Sequence, residues 1–100
     1  MSEESSVKEV LIRRINPNGI LPQFANDFLV NHNDTGLFFT FSVVEPPALL
    51  SPEEWSSVTA VDAVAIAKIV MQPAVAKKVA RALVENLQKY EGRFGEIPLS

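Results

Sequence analysis

The stretch "VDAVAIAKIVMQPAVAKKVARALVENLQKYEGRF", Val61 to Phe94, changes its period midway, and that change decides the fold. From Val61 to Met71 the residues alternate. Val61, Ala63, Ala65, Ala67, Ile69 and Met71 take one side, and Asp62, Val64, Ile66, Lys68 and Val70 take the other. A period of two is that of a β-strand, and both sides are largely apolar, which requires contact on both faces. After Gln72-Pro73 the period lengthens. Val75, Val79, Leu83, Leu87, Tyr90 and Phe94 recur at three or four residues, the stripe of an amphipathic helix, and Pro73 suits a first helical position. Lys77, Lys78, Arg81, Glu85, Lys89 and Glu91 occupy the opposite side, where Glu85 and Lys89 form a favourable i,i+4 pair.

Two further strands are expected upstream. "PQFANDFLVNH", Pro22 to His32, sets Phe24, Asn26, Phe28, Val30 and His32 on one face, and "LFFTFSVV" sets Leu37, Phe39, Phe41 and Val43 on one face. The turn formers of "NHNDTG", Asn31 to Gly36, join them as a hairpin. Glu45-Pro46-Pro47 ends the second strand, because proline supplies no ladder donor. In the loop beyond, "SPEEW" reads as a capped helical turn, with Ser51 as N-cap, Pro52 first and Glu54 at the capping-box position. Val7 to Ile15, "VKEVLIRRI", fits neither period cleanly and is read as a strand rather than a helix; "NPNG", Asn16 to Gly19, follows as a turn. Residues 1–6 are polar and read as a disordered tail, and 7–97 as a single domain.

Gly92-Arg93-Phe94-Gly95 has the spacing of a phosphate-gripping RNA-binding loop. Phe94, however, continues the helical stripe four residues after Tyr90, and a loop of that kind needs a second helix where only Glu96 to Ser100 remain. The glycines therefore read as helix-terminating positions, with Tyr90, Phe94 and Gly95 as a structural clamp on the helix end.

The chain has 100 residues, of which 47% are hydrophobic and 21% charged, with a net charge of −3 and no cysteine. A domain of this size buries only roughly 65% of its unfolded surface, so the supply of apolar side chains exceeds what one small core takes up. An acidic total opposes general attraction to phosphate backbones or anionic lipid. Lack of cysteine excludes disulfides and fits a reducing, cytoplasmic setting, and no apolar run reaches the roughly 18 residues of a membrane span.

No catalytic motif is present, and the expectation is that the chain is not an enzyme and carries no cofactor or metal. His32, the single histidine, stands among Asn31, Asn33 and Asp34 and reads as a solvated turn residue rather than a ligand. Nothing in the spacing brings Asp27 and Asp62 together for acid-base work. Two residues are candidate partner contacts. Trp55 is either an anchor for a partner or a lid over the sheet edge, and Asn26, on the Phe24/Phe28 face, is either a structural amide bonded to neighbouring backbone or a polar contact at an interface.

"FANDFLVNH", "FFTF" before a double proline, "AKIVMQP" and "AKKVARALVENLQKYEGRFGEI" together resemble an uncharacterised prokaryotic family, domain-of-unknown-function family 3467. The resemblance runs from about Phe24 to Ile97 and is most specific in the tail, at Tyr90, Glu91, Phe94, Gly95 and Glu96; it does not extend through Ala48 to Thr59. It implies a shared fold and no assigned activity. A weaker likeness, in element order alone, is to SecB-like chaperones.

The expected fold is α+β: an antiparallel sheet of three to four strands followed by a long C-terminal helix packed on one face, the SecB-like order of elements. Four strands about 4.8 Å apart span roughly 15–20 Å, more than one helix of about 10–12 Å covers. A second copy is the simplest cover, giving a homodimer or dimer of dimers with Val64, Ile66 and Val70 as candidate interface residues. The expected function is that of a non-enzymatic, homo-oligomeric binding or scaffold protein with protein or peptide partners, chaperone-like affinity for apolar segments being one form of it. The alternative is a nucleic-acid-associated accessory protein using a local basic patch of Arg13, Arg14, Lys77, Lys78 and Arg81.

Overall fold

The computed structural model describes residues 9–45 and 51–99. Its elements are β1 (Asp27–His32), β2 (Leu37–Val44), α1 (Pro52–Ser56), β3 (Ala63–Met71) and α2 (Pro73–Phe94). The strands form one antiparallel sheet in the order β1-β2-β3, and the chain is α+β as expected, with three strands. The polar segment 1–6, Val7, Lys8, and the Pro46-Pro47 break lie outside the described residues.

The β1–β2 hairpin turns on Asn33. Its backbone N–H donates to the Gly36 carbonyl at 3.1 Å, while its side-chain Oδ1 accepts from Thr35 N–H at 2.8 Å, Thr35 Oγ1 at 2.6 Å and Gly36 N–H at 3.1 Å. Asparagine supplies this local acceptor, which is why the turn forms where it does. Gly36 is also needed sterically: a Cβ there would lie 2.9 Å from the carbonyl oxygen of Met71, where β3 ends.

The first strand begins later than its pattern suggests. Pro22 to Ala25 have no regular structure and Asn26 is a bend, tied to the sheet by its N–H, which donates to the Ser42 carbonyl at 3.1 Å. Residues 9–15, the described part of the segment expected as a strand, have no regular structure, because no strand among the described residues pairs with them. The turn after them is present. Gly19, at φ 61°, donates to the Asn16 carbonyl at 3.1 Å, and the Asn16 side chain both accepts from Ile20 N–H and donates to the Ile20 carbonyl, each at 2.8 Å.

β3 carries a register shift opposite Phe41 and Ser42. Phe41 faces Ala67 and Ser42 faces Ala65, leaving Ile66 as the extra residue of a bulge. Simple alternation along β3 is therefore corrected. Directly opposed residues share a sheet face, so Val64, opposite Val43, joins Ala67, Ile69 and Met71, while Ala63 and Ala65 join Lys68 and Val70.

α1 has the anticipated capping box: Glu54 N–H donates to Ser51 Oγ at 3.2 Å, and Ser51 N–H donates to Glu54 Oε1 at 2.9 Å. α2 runs for 22 residues and is stopped by Gly95 at φ 101°, whose N–H donates to the Glu91 carbonyl at 2.9 Å. Gly92, by contrast, lies inside the helix and does not terminate it.

α2 does not lie on the sheet of its own chain. Its stripe is open, with Val79 43% and Leu83 57% exposed, and Ala76 is the one buried residue in the helix. The expectation of a helix packed on one face is corrected in this respect, and the reason is the connection. Only Gln72, in extended conformation at φ −63° and ψ 148°, stands between β3 and α2. Strand-to-helix connections that return a helix to its sheet typically take about 2–6 residues. The molecule is correspondingly long, 78 × 34 × 32 Å, with a radius of gyration of 20.5 Å against about 13 Å for a compact domain of this length.

Candidate interaction surface

The register sorts the sheet into two unlike faces. Phe28 opposes Phe41, Val30 opposes Phe39 and His32 opposes Leu37 on one flank, and Leu37, Phe39 and Phe41 oppose Met71, Ile69 and Ala67 on the other. This face is apolar throughout except for His32, and the Phe39 and Phe41 rings stack along it with centroids 6.2 Å apart. The reverse face mixes Asp27, Asn31, Thr40, Ser42 and Lys68 with Leu29, Phe38 and Val70. The polar residues thus gather on the reverse face, where Ser42 is buried, and the opposite face is almost wholly apolar.

Among the described residues no other element covers the apolar face: Phe28 remains 68% and Val64 63% exposed. The whole chain exposes 9478 Å², where a folded monomer of 11.0 kDa exposes about 5,600 Å². A second apolar surface is the α2 stripe, and a third is the arm from Glu9 to Phe24, where Leu11, Ile15 and Phe24 are all exposed.

Of the candidate interface residues, Val64 and Ile66 line an open groove of about 660 Å³ with Val43, Glu45, Val58, Ala60, Val61 and Asp62. Val70 stands apart from it on the reverse face, 61% exposed. The bulge at Ile66 separates the three, a feature that the alternating pattern gave no sign of. Asn26 commits its side chain to its own chain, donating through Nδ2 to the Val44 carbonyl at 3.0 Å and accepting at Oδ1 from Val44 N–H at 2.8 Å. Trp55, on α1, is 39% exposed.

At the far end, Tyr90 and Phe94 meet with ring centroids 4.9 Å apart, and the Arg93 guanidinium sits 5.3 Å from the Phe94 ring. With Leu83, Asn86, Leu87, Lys89 and Ile97 they border a shallow recess of about 540 Å³. Ile97 is drawn in by its N–H, which donates to Glu91 Oε2 at 2.8 Å. Phe94 is nevertheless 65% exposed, so the clamp holds a tail turn without burying its ring.

His32 closes β1 rather than standing in the turn, and Asp27 and the approach to β3 at Asp62 are on opposite sides of β2. Among the described residues no group of three or more His, Cys, Asp or Glu side chains is placed to hold a metal ion, and no helix is long and apolar enough to cross a membrane. Arg13 and Arg14 lie on the arm, and Lys77, Lys78 and Arg81 on the polar side of α2.

No curated protein and no solved structure matches this chain. A family model matches residues 1–99, nearly its entire length, that of the protein of unknown function DUF3467. The chain therefore belongs to the DUF3467 family.

Proposed function

We propose that this chain is a non-enzymatic binding or scaffold protein that acts as a homo-oligomer, a dimer or a dimer of dimers. The observation that carries this reading is the apolar sheet face of Phe28, Val30, Phe39, Phe41 and Ile69, left without cover together with the α2 stripe. A contiguous apolar face left open beside an open apolar stripe is uncommon on soluble monomers and characteristic of the halves of obligate homodimers. Affinity for apolar peptide segments, of a chaperone-like kind, is the form of binding such a face supports, and a cytoplasmic setting fits the cysteine-free sequence.

Light scattering at micromolar concentration tests the reading, with an assembly of about 22 kDa or a multiple expected, since one chain is 11.0 kDa. Ile66→Asp should yield monomer or aggregate. A wild-type mass of about 11 kDa would sink the proposal. The nucleic-acid alternative is separated by titration with DNA or RNA: binding at about 50 mM salt that weakens as salt rises would favour it, and no binding would remove it.

A further inference from the structure

We propose that the apolar sheet face of each chain is covered by α2 of a second copy, the two chains exchanging helices reciprocally. This rests on the homo-oligomeric reading above and specifies which element of the partner completes the fold.

Four observations converge on it. First, the connection through Gln72 is one residue, shorter than the roughly 2–6 that usually return a helix to its sheet, and α2 does not pack on the sheet of its own chain. Second, the sheet has three strands, whose axes span only about 10 Å, and one helix is about 10–12 Å wide. A single α2 is therefore the right width for one face. Third, the lengths agree. Twenty-two residues give a helix of about 33 Å, and strands of 8 and 9 residues run about 27–31 Å.

Fourth, the chemistry of the surfaces selects one face and one stripe. The face bearing Val30, Phe39 and Ile69 is apolar where the reverse face holds Asp27, Asn31, Thr40 and Lys68. On α2, Val79, Leu83 and Leu87 fall on the side opposite Lys77, Lys78 and Arg81, so docking the stripe leaves every one of those cations in water. A passing peptide would satisfy the sheet but leave the stripe bare. A second copy satisfies both at once, twice, around a two-fold axis.

The absence of cysteine makes the test clean. Ile69→Cys and Leu83→Cys variants, distinguishable by a tag on one of them, are co-expressed, purified and treated with a short bis-maleimide. Helix exchange predicts a covalent species of about 22 kDa containing one chain of each kind, with little self-linked product from either variant alone. Val30→Cys with Leu87→Cys provides a second pair should the first perturb folding, as judged by circular dichroism. Self-linking of Ile69→Cys would show sheet packed on sheet, and self-linking of Leu83→Cys would show helix on helix; either removes the exchange while leaving the homo-oligomer intact. A dimer in solution that yields no mixed product with either pair overturns the exchange as well. A mass of about 11 kDa for the wild type overturns both.

Discussion

Asn26 holds both backbone groups of Val44 with one side-chain amide, accepting from its N–H at 2.8 Å and donating to its carbonyl at 3.0 Å. The amide thereby extends the pairing to the residue just before the start of β1 and fastens the last residue of β2. Asn26→Ala should cost about 1–2 kcal/mol, two net hydrogen bonds at an exposed site where water partly substitutes. Asn26→Asp should cost more, because a second acceptor would then face the Val44 carbonyl. Urea unfolding of the variants checks this, and an Asp variant as stable as wild type would show that the pairing contributes nothing.

Two glycines respond to alanine in opposite directions. At Gly36 the new Cβ would meet the Met71 carbonyl oxygen at 2.9 Å, a backbone atom that the β2–β3 ladder holds in place, so a loss of about 1–3 kcal/mol is expected. At Gly92, inside α2, nothing lies within 4 Å of the added methyl. Gly92→Ala should stabilise by about 0.5–1 kcal/mol through helix propensity alone. Thermal melts of the pair read the contrast directly, and a destabilised Gly92→Ala would mean that another chain packs closely there.

The capping box of α1 sets a pH dependence. Hydrogen bonding from the Ser51 backbone N–H, and then from the Ser51 side chain, holds the Glu54 carboxyl below the ordinary carboxylate value, against a small opposing effect of desolvation. A carboxylate depressed in the folded state contributes its stability above the unfolded pKa and loses it as pH falls through the folded one. The α1 turn should therefore fray only on the acid side of the ordinary glutamate range. An NMR titration of Glu54 is expected to move upward in Ser51→Ala, which keeps the backbone bond, and an unshifted midpoint would show that the Ser51 hydroxyl contributes nothing.

Phe94 separates the isolated chain from an assembly. With its ring 65% exposed and touching chiefly Tyr90, Phe94→Ala should cost about 0.5–1.5 kcal/mol, the worth of an aromatic pair, if no partner covers it. A loss of about 3 kcal/mol or more, the cost for a buried Phe, would place the ring beneath a second chain. Chemical denaturation at two protein concentrations distinguishes the cases.

Local chemistry was well written in the residues. The hairpin at Asn33, the Ser51–Glu54 box and the stripe from Val75 to Phe94 all follow from neighbours within four positions, and all are present. What periodicity does not report is who supplies the other side of an apolar face. Phe39 and Ile69 carry the same pattern whether their own helix or another chain lies above them, and only the one-residue link at Gln72 distinguishes the two. The bulge at Ile66 was hidden for a related reason: an apolar residue on either face of an apolar strand leaves no break in the pattern. Residues 9–15 misled because strand-like composition names no pairing partner.

Gln72 also imposes an arithmetic on chain length. Between the pleat of β3 and the first turn of α2 this single extended residue leaves no slack, and Pro73 keeps whatever precedes it out of the helix. One to four residues inserted before Pro73 would therefore lengthen the link rather than wind the helix, and would bring it into the roughly 2–6 residues from which a helix returns to its own sheet. A chain lengthened there should cover its own Phe39 and Ile69 with its own Leu83 and Leu87 and no longer need a second copy. The length of the junction thus acts as a switch between a self-sufficient chain and an assembling one.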